Sequence, residues 1–180
     1  MKKNLLKKSK VYLIGSMQYG CGRNWREITK KELGEIEITC FDPYDNPFII
    51  DIEETEVEHE KIQSALNEDK FDEVAVFMKT VRAHDLALTD RADFIICYLD
   101  PGVFTVGTFE ELFNSVRMKK PIFLIVNGGK KKAPYWLFGA IPHRYFYDNL
   151  DDVITTLKKI DSGEIEIDSD RWRLLKPEYR

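Results

Sequence analysis

Along the chain, short apolar runs alternate with stretches in which apolar residues recur at helical spacing. A run such as 93–100, which is almost entirely apolar, is typical of a parallel strand covered on both faces. Glycine, proline and asparagine lie at the ends of several runs and interrupt them. The predicted strands are 10–16, 35–43, 93–100, 120–126 and 144–149. The predicted helices are 24–33, 53–69, 80–93, one that begins at Thr108, and 150–160.

This alternation predicts an α/β fold, a flavodoxin-like or Rossmann-like three-layer sandwich with a mostly parallel five-stranded sheet. The segment 72–79 fits a strand and a helix equally well. In such sheets ligands bind beyond the carboxyl ends of the strands, where the strand order reverses. We therefore expect the site in the loops after the first, third and fourth strands.

A chain of 180 residues, 43% of them hydrophobic, fits a single domain with a sizeable core. We place this domain at 10–162. Five lysines in the first ten residues predict a solvated basic arm at 1–9. Residues 163–180 are expected to form a C-terminal extension, whose aromatic and basic residues either lie on the surface or reach a neighbouring subunit.

The formal net charge of −4 argues against a nucleic-acid partner. Three cysteines without CxxC spacing favour a reduced, cytoplasmic compartment. Three widely separated histidines argue against a zinc site. No apolar stretch approaches the ~20 residues of a membrane span, so we expect a soluble protein.

The loop after the first strand, "GSMQYGCGR", contains Gly15, Gly20 and Gly22. Glycines let the backbone approach an anion closely, and the following helix offers its N-terminal N–H groups. Ser16 and Arg23 would add a hydroxyl and a guanidinium for one phosphate. The loop matches neither GxGxxG nor a P-loop, so it implies neither NAD nor a magnesium nucleotide. An ordinary tight loop between a strand and a helix would have the same composition.

Two candidate carboxylates lie in predicted helices. Asp85 precedes a buried strand, and its ordinary interpretation is a solvated charge paired with Arg82 at i−3. The stretch from Thr108 to Glu111 matches a capping box, which alone would explain Glu111. However, a carboxylate in the first turn after the third parallel strand also lies at the crevice where substrates bind. The apolar stripe of this helix, which leaves Glu111 on roughly the opposite side, is Phe109, Leu112, Phe113 and Val116.

Taken together, four segments in this order resemble the nucleoside 2-deoxyribosyltransferase superfamily, from "VYLIGSM" to "LDDVITTLKKI". They are the strand and loop "YLIGSMxxGxGR", the helix and strand "DLALTDRADFII", the turn "GTxxE" and the strand "KKPIFLIV". The resemblance implies that Glu111 is a nucleophile that attacks C1′ of the sugar and forms a covalent intermediate. Tyr12 matches the tyrosine that hydrogen-bonds this carboxylate, and Asp85 matches the aspartate that handles the proton of the leaving base.

The resemblance also implies that the reaction needs no metal and no organic cofactor. It implies a small-molecule nucleoside or nucleotide substrate, and a homodimer or higher homo-oligomer in which a neighbouring subunit completes the site. The alternative is a non-catalytic module that binds or senses a nucleotide on the same fold. In that case Tyr12, Asp85 and Glu111 need not converge in space.

Thr105 departs from the transferases, which usually carry an aspartate two residues before the glycine of "GTxxE". The related 2′-deoxynucleoside 5′-monophosphate N-glycosidases carry a small hydroxyl residue there and use it on the phosphate. Their first loop also resembles "GSMQYGCGR", with a phosphate-binding serine and arginine. These matches favour a nucleotide hydrolase over a base-exchanging transferase. The residues expected to contact substrate or phosphate are Gly15, Ser16, Met17, Arg23, Thr105, Gly107 and Thr108.

Overall fold

The structure of the chain is a computed structural model. It describes residues 4–17, 22–45, 56–165, 167 and 171–175. Within these ranges the apolar runs form five strands, which are β1 (Lys10–Gly15), β2 (Thr39–Phe41), β3 (Phe94–Leu99), β4 (Ile122–Val126) and β5 (Phe146–Tyr147). All neighbouring strands are parallel, in the order β2-β1-β3-β4-β5. The predicted flavodoxin-like sheet is confirmed.

The strand order reverses at β1, because β2 is added on one side of it and β3 on the other. Tyr12 of β1 lies opposite Ile95 of β3, so the two strands end close together. A reversal of this kind opens a crevice at the carboxyl ends of the two strands, since the helices that follow them pack on opposite faces. The topology therefore locates the site before any side chain is considered.

The described helices are α1 (Arg23–Gly34), α2 (Glu56–Asn67), α3 (Phe71–Arg91), α4 (Val106–Arg117) and α5 (Leu150–Ser162). Segment 72–79 continues directly into the predicted helix 80–93, so that one helix, α3, covers both. Val76 is 67% exposed there, which a strand covered on both faces would not allow. None of the helices in the described ranges combines the length and the apolar character that crossing a membrane requires.

Two strands are shorter than predicted. In segment 35–43 only Thr39–Phe41 is extended, because a turn with Glu37 at φ 59° precedes it. In segment 144–149 only Phe146–Tyr147 pairs with β4, because His143–Tyr145 forms a 3-10 turn. The connection from β4 to β5 therefore consists mainly of 3-10 turns.

Side chains alternate between the two faces along each strand. Tyr12 and Ile14 of β1 belong to the core between the sheet and the layer that contains α3 and α4. Val11 and Leu13 belong to the core on the side of α1 and α5. The sheet thus lies between two helical layers, and α3 and α4 are on the same side of it as the side chain of Tyr12.

Both ends of the described chain pack onto the domain. Leu6 is fully buried, and its N–H donates to Oδ1 of Asp161 at 2.8 Å, so the expectation of a solvated arm is wrong at this residue. Trp172 is also fully buried, with ring centroids 5.5 Å from Phe94 and 5.9 Å from Phe123. It therefore neither lies on the surface nor extends to another subunit, whereas the domain boundaries at 10 and 162 stay a prediction.

Candidate active site

Helix α4 turns Glu111 toward the sheet. The helix begins at Val106, two residues before the predicted start, and its N-cap Thr105 makes no side-chain capping bond. Thr108 therefore lies inside the first turn, and the predicted capping box with Glu111 is wrong. Although Glu111 lies roughly opposite the apolar stripe of the helix, it is not on a solvent-exposed side, because only 9% of it is exposed. The buried positions of the helix are Thr108, Glu111, Leu112 and Ser115.

The phenol of Tyr12 donates a hydrogen bond of 2.6 Å to Oε1 of Glu111. Tyr12 has no exposed surface, and this burial raises its pKa well above the usual value. The nearby carboxylates of Glu111 and Asp85 raise the pKa of Tyr12 further. The phenol therefore stays protonated at neutral pH, and it acts as a fixed donor that orients the carboxylate.

Asp85 lines the same cavity as the tyrosine–glutamate pair. Burial raises the pKa of Asp85, while a 3.2 Å contact with Nδ1 of His84 lowers it. A carboxyl group with a raised pKa stays protonated up to a higher pH. A general acid needs this, because it must carry a proton near neutral pH. Arg82 does not form the predicted pair with Asp85; its Nε donates instead to both carboxylate oxygens of Glu110, at 2.7 and 3.0 Å.

A cavity of about 400 Å³ opens at the carboxyl ends of β1 and β3. Nine of the ten residues that the sequence singled out line it, and Arg23 is the exception. Tyr12, Asp85 and Glu111 therefore line one cavity, which a non-catalytic module would not require. The nine are Tyr12, Gly15, Ser16, Met17, Asp85, Thr105, Gly107, Thr108 and Glu111.

Apolar side chains complete the wall of the cavity, and sequence reasoning missed them. Pro43, Met78, Phe104 and Val106 belong to this set. Phe104 is 85% exposed and Val106 is 66% exposed, so both lie at the mouth. Pro43 and Phe104 lie in loops, and Met78 and Val106 lie on helices, and no pattern in the sequence marks any of these four positions.

Arg26 of α1 is fully buried and holds the first loop in place. Burial lowers its pKa, which the negative charge of Asp42 opposes. Oδ1 of Asp42 lies 3.5 Å from its Nε. The guanidinium donates to the main-chain carbonyls of Gly15 and Gly22 at 2.8 Å, of Leu13 at 3.3 Å and of Ser16 at 3.4 Å. Sequence reasoning missed Arg26, although it shares the inward-facing stripe of α1 with Trp25, Thr29 and Leu33.

The ends of the first loop differ in what they offer to a ligand. At Gly22 a Cβ would lie 2.4 Å from the carbonyl oxygen of Ser16, so the close approach requires glycine. The hydroxyl of Ser16 is buried and has no hydrogen-bond partner among the described residues. Arg23 is exposed, and its guanidinium lies 4.5 Å from the centroid of the Tyr44 ring. Ser16 lines the cavity, whereas Arg23 does not.

The carboxylates of Glu27, Asp42 and Asp45 lie within 4.8 Å of one another. Nζ of Lys30 reaches all three, at 2.5 Å from Glu27 and Asp45 and 3.1 Å from Asp42. The lysine supplies the positive charge that such a cluster needs. We therefore assign no metal to it.

Among solved structures, the chain is similar to the 2-deoxyribosyltransferase of Bacillus psychrosaccharolyticus, with a TM-score of 0.58. The similarity covers 81% of this chain and 90% of that chain. The chain shares the fold of this deoxyribosyltransferase. Because the two sequences are 17% identical, the similarity shows the fold alone, and the roles of residues must be argued from the site.

The chain is also similar to a CMP N-glycosidase of Clostridium botulinum, with a TM-score of 0.46 and 15% identity. That similarity covers 83% of this chain and 98% of the other. Neither a protein-family model nor a curated protein sequence matches the chain.

Proposed function

We propose that the protein cleaves the N-glycosidic bond of a nucleoside, a deoxynucleoside or a 5′-monophosphate of either, with Glu111 as the nucleophile. The observation that carries this proposal is the 2.6 Å hydrogen bond from Tyr12 to Glu111, inside a cavity that Asp85 also lines. A buried carboxylate oriented by a neutral donor, with a second carboxyl group of raised pKa nearby, is the arrangement that double-displacement glycoside cleavage uses.

In the first step a carboxylate oxygen of Glu111 attacks C1′ of the sugar. The C1′–O bond to Glu111 forms as the C1′–N bond breaks, and the electron pair of the broken bond leaves with the base. Protonated Asp85 gives its proton to the departing base, directly or through a water molecule. The raised pKa of Asp85 supports this role because it increases the protonated fraction.

In the second step water attacks C1′, and the bond between C1′ and Glu111 breaks. The carboxylate of Glu111 is restored, and the proton of the water passes to the Asp85 carboxylate. A second base could replace the water, in which case the reaction is a base exchange. Neither step uses a metal or an organic cofactor.

An anionic group of the substrate, such as a 5′-phosphate, would be held by the first loop and by the N-terminus of α4. Ser16, Met17, Gly107 and Thr108 line this part of the cavity, and the Ser16 hydroxyl has no other described partner. The first N–H groups of a helix bind anions readily. With a hydroxyl at Thr105 instead of a carboxylate, this end suits a phosphate, which favours the hydrolase over the transferase.

The proposal also includes the oligomeric state, the cellular compartment and the role of Arg23. Exposed Phe104 and Val106 at the mouth support a homodimer in which a second copy of the chain covers the cavity. The free thiols of Cys40 and Cys97 support a cytoplasmic location. Arg23 would contribute to substrate binding only if its side chain left the ring of Tyr44.

The test is product analysis. The purified protein would be incubated with deoxynucleosides, ribonucleosides and their 5′-monophosphates, with and without a second free base. We expect free base from monophosphates, and a loss of at least about a thousandfold in Glu111→Gln. The exposed glutamate Glu73, on α3, provides the control Glu73→Gln. Base exchange would establish a transferase, whereas nucleotide binding without any cleavage would contradict the proposal and leave a sensing module.

A further inference from the structure

Arg82 and Glu110 connect the two helices that carry the carboxyl groups of the site. Nε of Arg82 on α3 donates to both carboxylate oxygens of Glu110 on α4, at 2.7 and 3.0 Å. Nη2 of Arg82 donates to Oε1 of Glu110 as well. Contacts of this kind between two planar groups fix an orientation as well as a distance.

The pair lies beside the cavity rather than in it. On α3, Met78, Arg82 and Asp85 share one face because their spacing is i, i+4 and i+7. Met78 and Asp85 line the cavity, whereas neither Arg82 nor Glu110 is among the described residues that line it. The ion pair therefore joins the helices one turn before Asp85 and one residue before Glu111.

We propose that the ion pair of Arg82 and Glu110 is a positioning clamp that sets the distance between Asp85 and Glu111. The inference rests on the proposed function, which gives those two carboxyl groups their roles. The clamp acts through the helices and does not touch the substrate. The side chain of Arg82 is 60% exposed and that of Glu110 is 33% exposed, so salt weakens the clamp.

A second ion pair provides a matched control. Nζ of Lys158 on α5 lies 2.7 Å from Glu32 on α1, and the two side chains are 37% and 32% exposed. This pair also joins two helices, but it lies in the layer on the other face of the sheet from Tyr12. Removing it tests what the loss of an exposed interhelical ion pair does by itself.

The experiment compares Arg82→Gln, Glu110→Gln, the double variant and Lys158→Gln with the wild-type protein. We expect kcat to fall about tenfold in each of the first two, with KM unchanged, because small displacements of catalytic groups are costly. The double variant should be no slower than either single variant, since both remove the same interaction. Lys158→Gln should match the wild type, and high salt should slow only proteins that retain the clamp.

The two neutralisations also distinguish a clamp from a long-range charge effect. Arg82→Gln removes a positive charge and Glu110→Gln removes a negative one, so a field effect on the site would change kcat in opposite directions. Opposite changes, or a rise in KM with unchanged kcat in Arg82→Gln, would overturn the clamp. The second outcome would show instead that Arg82 contacts the substrate.

Hydrogen exchange of the backbone amides tests the clamp without any activity. Peptides that cover 78–85 and 106–111 should exchange faster in Arg82→Gln and Glu110→Gln than in the wild type and Lys158→Gln. Unchanged exchange would overturn the clamp even if the wild type is active. Faster exchange in a protein that cleaves no substrate would keep the clamp and reject the proposed function.

Discussion

The hydroxyl of Tyr12 lies 2.6 Å from Oε1 of Glu111, although the two residues are 99 positions apart in the chain. The contact exists because β1 and β3 are neighbours in the sheet and the helix that follows β3 packs over β1. It explains why Glu111 is turned inward on α4 although the apolar stripe of that helix predicted the opposite side. The orientation of the proposed nucleophile is therefore a property of the sheet topology.

Replacing Tyr12 with phenylalanine should keep the fold and lower kcat by roughly tenfold to a hundredfold. The variant loses one hydrogen bond to a charged group, which is worth about 1.5–3 kcal/mol, and leaves the carboxylate less well oriented. Steady-state kinetics together with circular dichroism check this. Tyr98→Phe is the control, because Tyr98 packs on Trp25 in the core on the other side of the sheet. Equal kcat values for Tyr12→Phe and the wild type would show that Tyr12 has no role in the reaction.

Asp85→Asn should lower kcat by about a hundredfold or more, because general acid–base catalysis contributes roughly that much. In the wild type, the rate of the step that expels the base should fall as pH rises through the raised pKa of Asp85. The pH dependence of single-turnover base release measures this. A rate that does not change with pH across the acidic and neutral range would assign the proton to another group.

Asp85→Asn should also change the free energy of unfolding, in a direction that follows from the raised pKa of Asp85. Burial raises the pKa of Asp85 in the folded protein, so ionisation of Asp85 opposes folding. The cost is absent below the unfolded-state pKa of about 4 and fully present above the folded-state pKa. Asp85→Asn should therefore raise the free energy of unfolding at pH 7 but not at pH 3, as urea titrations would show. The exposed Asp90 on the same helix gives the control Asp90→Asn.

Arg26→Gln should destabilise the protein by about 3–5 kcal/mol, because it breaks a buried ion pair with Asp42 and removes the guanidinium that donates to the carbonyls of Gly15 and Gly22. Urea denaturation measures this. Arg23→Gln is the matched control, since Arg23 lies on the same helix but is exposed, and it should change the free energy of unfolding by less than about 0.5 kcal/mol. Similar effects of the two substitutions would show that Arg26 does not hold the loop.

Trp172→Ala should cost about 3–5 kcal/mol of unfolding free energy, because it empties a fully buried site between Phe94 and Phe123. Trp172→Phe should cost less than Trp172→Ala, because it keeps an aromatic ring in the site and leaves a smaller cavity. The indole N–H has no partner in the described part of the chain, so the smaller ring loses no hydrogen bond there. Thermal or urea unfolding of both variants tests whether the C-terminal segment is part of the core.

Most of the fold could be predicted because its signals are local. The run 94–99 is almost purely apolar, and the last helix ends at Ser162, two residues beyond its predicted end, where Gly163 has φ 77°. The segment 72–79 stayed open in the sequence because its valines favour a strand, and the structure shows that it is part of α3. The burial of Leu6 and Trp172 depends on contacts with distant residues, which no local pattern contains.

The candidate site, too, could be predicted only in part. Its backbone positions could be placed, because the ends of β1 and β3 and the start of α4 must meet in a parallel sheet of this order. The partners of its charged residues could not be placed, since Arg26 meets Asp42 and Arg82 meets Glu110 across 16 and 28 positions. Such pairs form only when the elements that carry them pack together, and i, i+3 spacing suggested the wrong partner for Arg82.

In the proposed mechanism, Glu111 forms a covalent bond to the sugar. To detect this bond, the protein would be quenched with acid during turnover of a monophosphate substrate, and the modified peptide would be mapped by mass spectrometry. We expect a sugar phosphate adduct on the peptide that contains Glu111, and none in Glu111→Gln. Rapid release of base with an adduct on another residue, or undiminished turnover by Glu111→Gln, would contradict this mechanism.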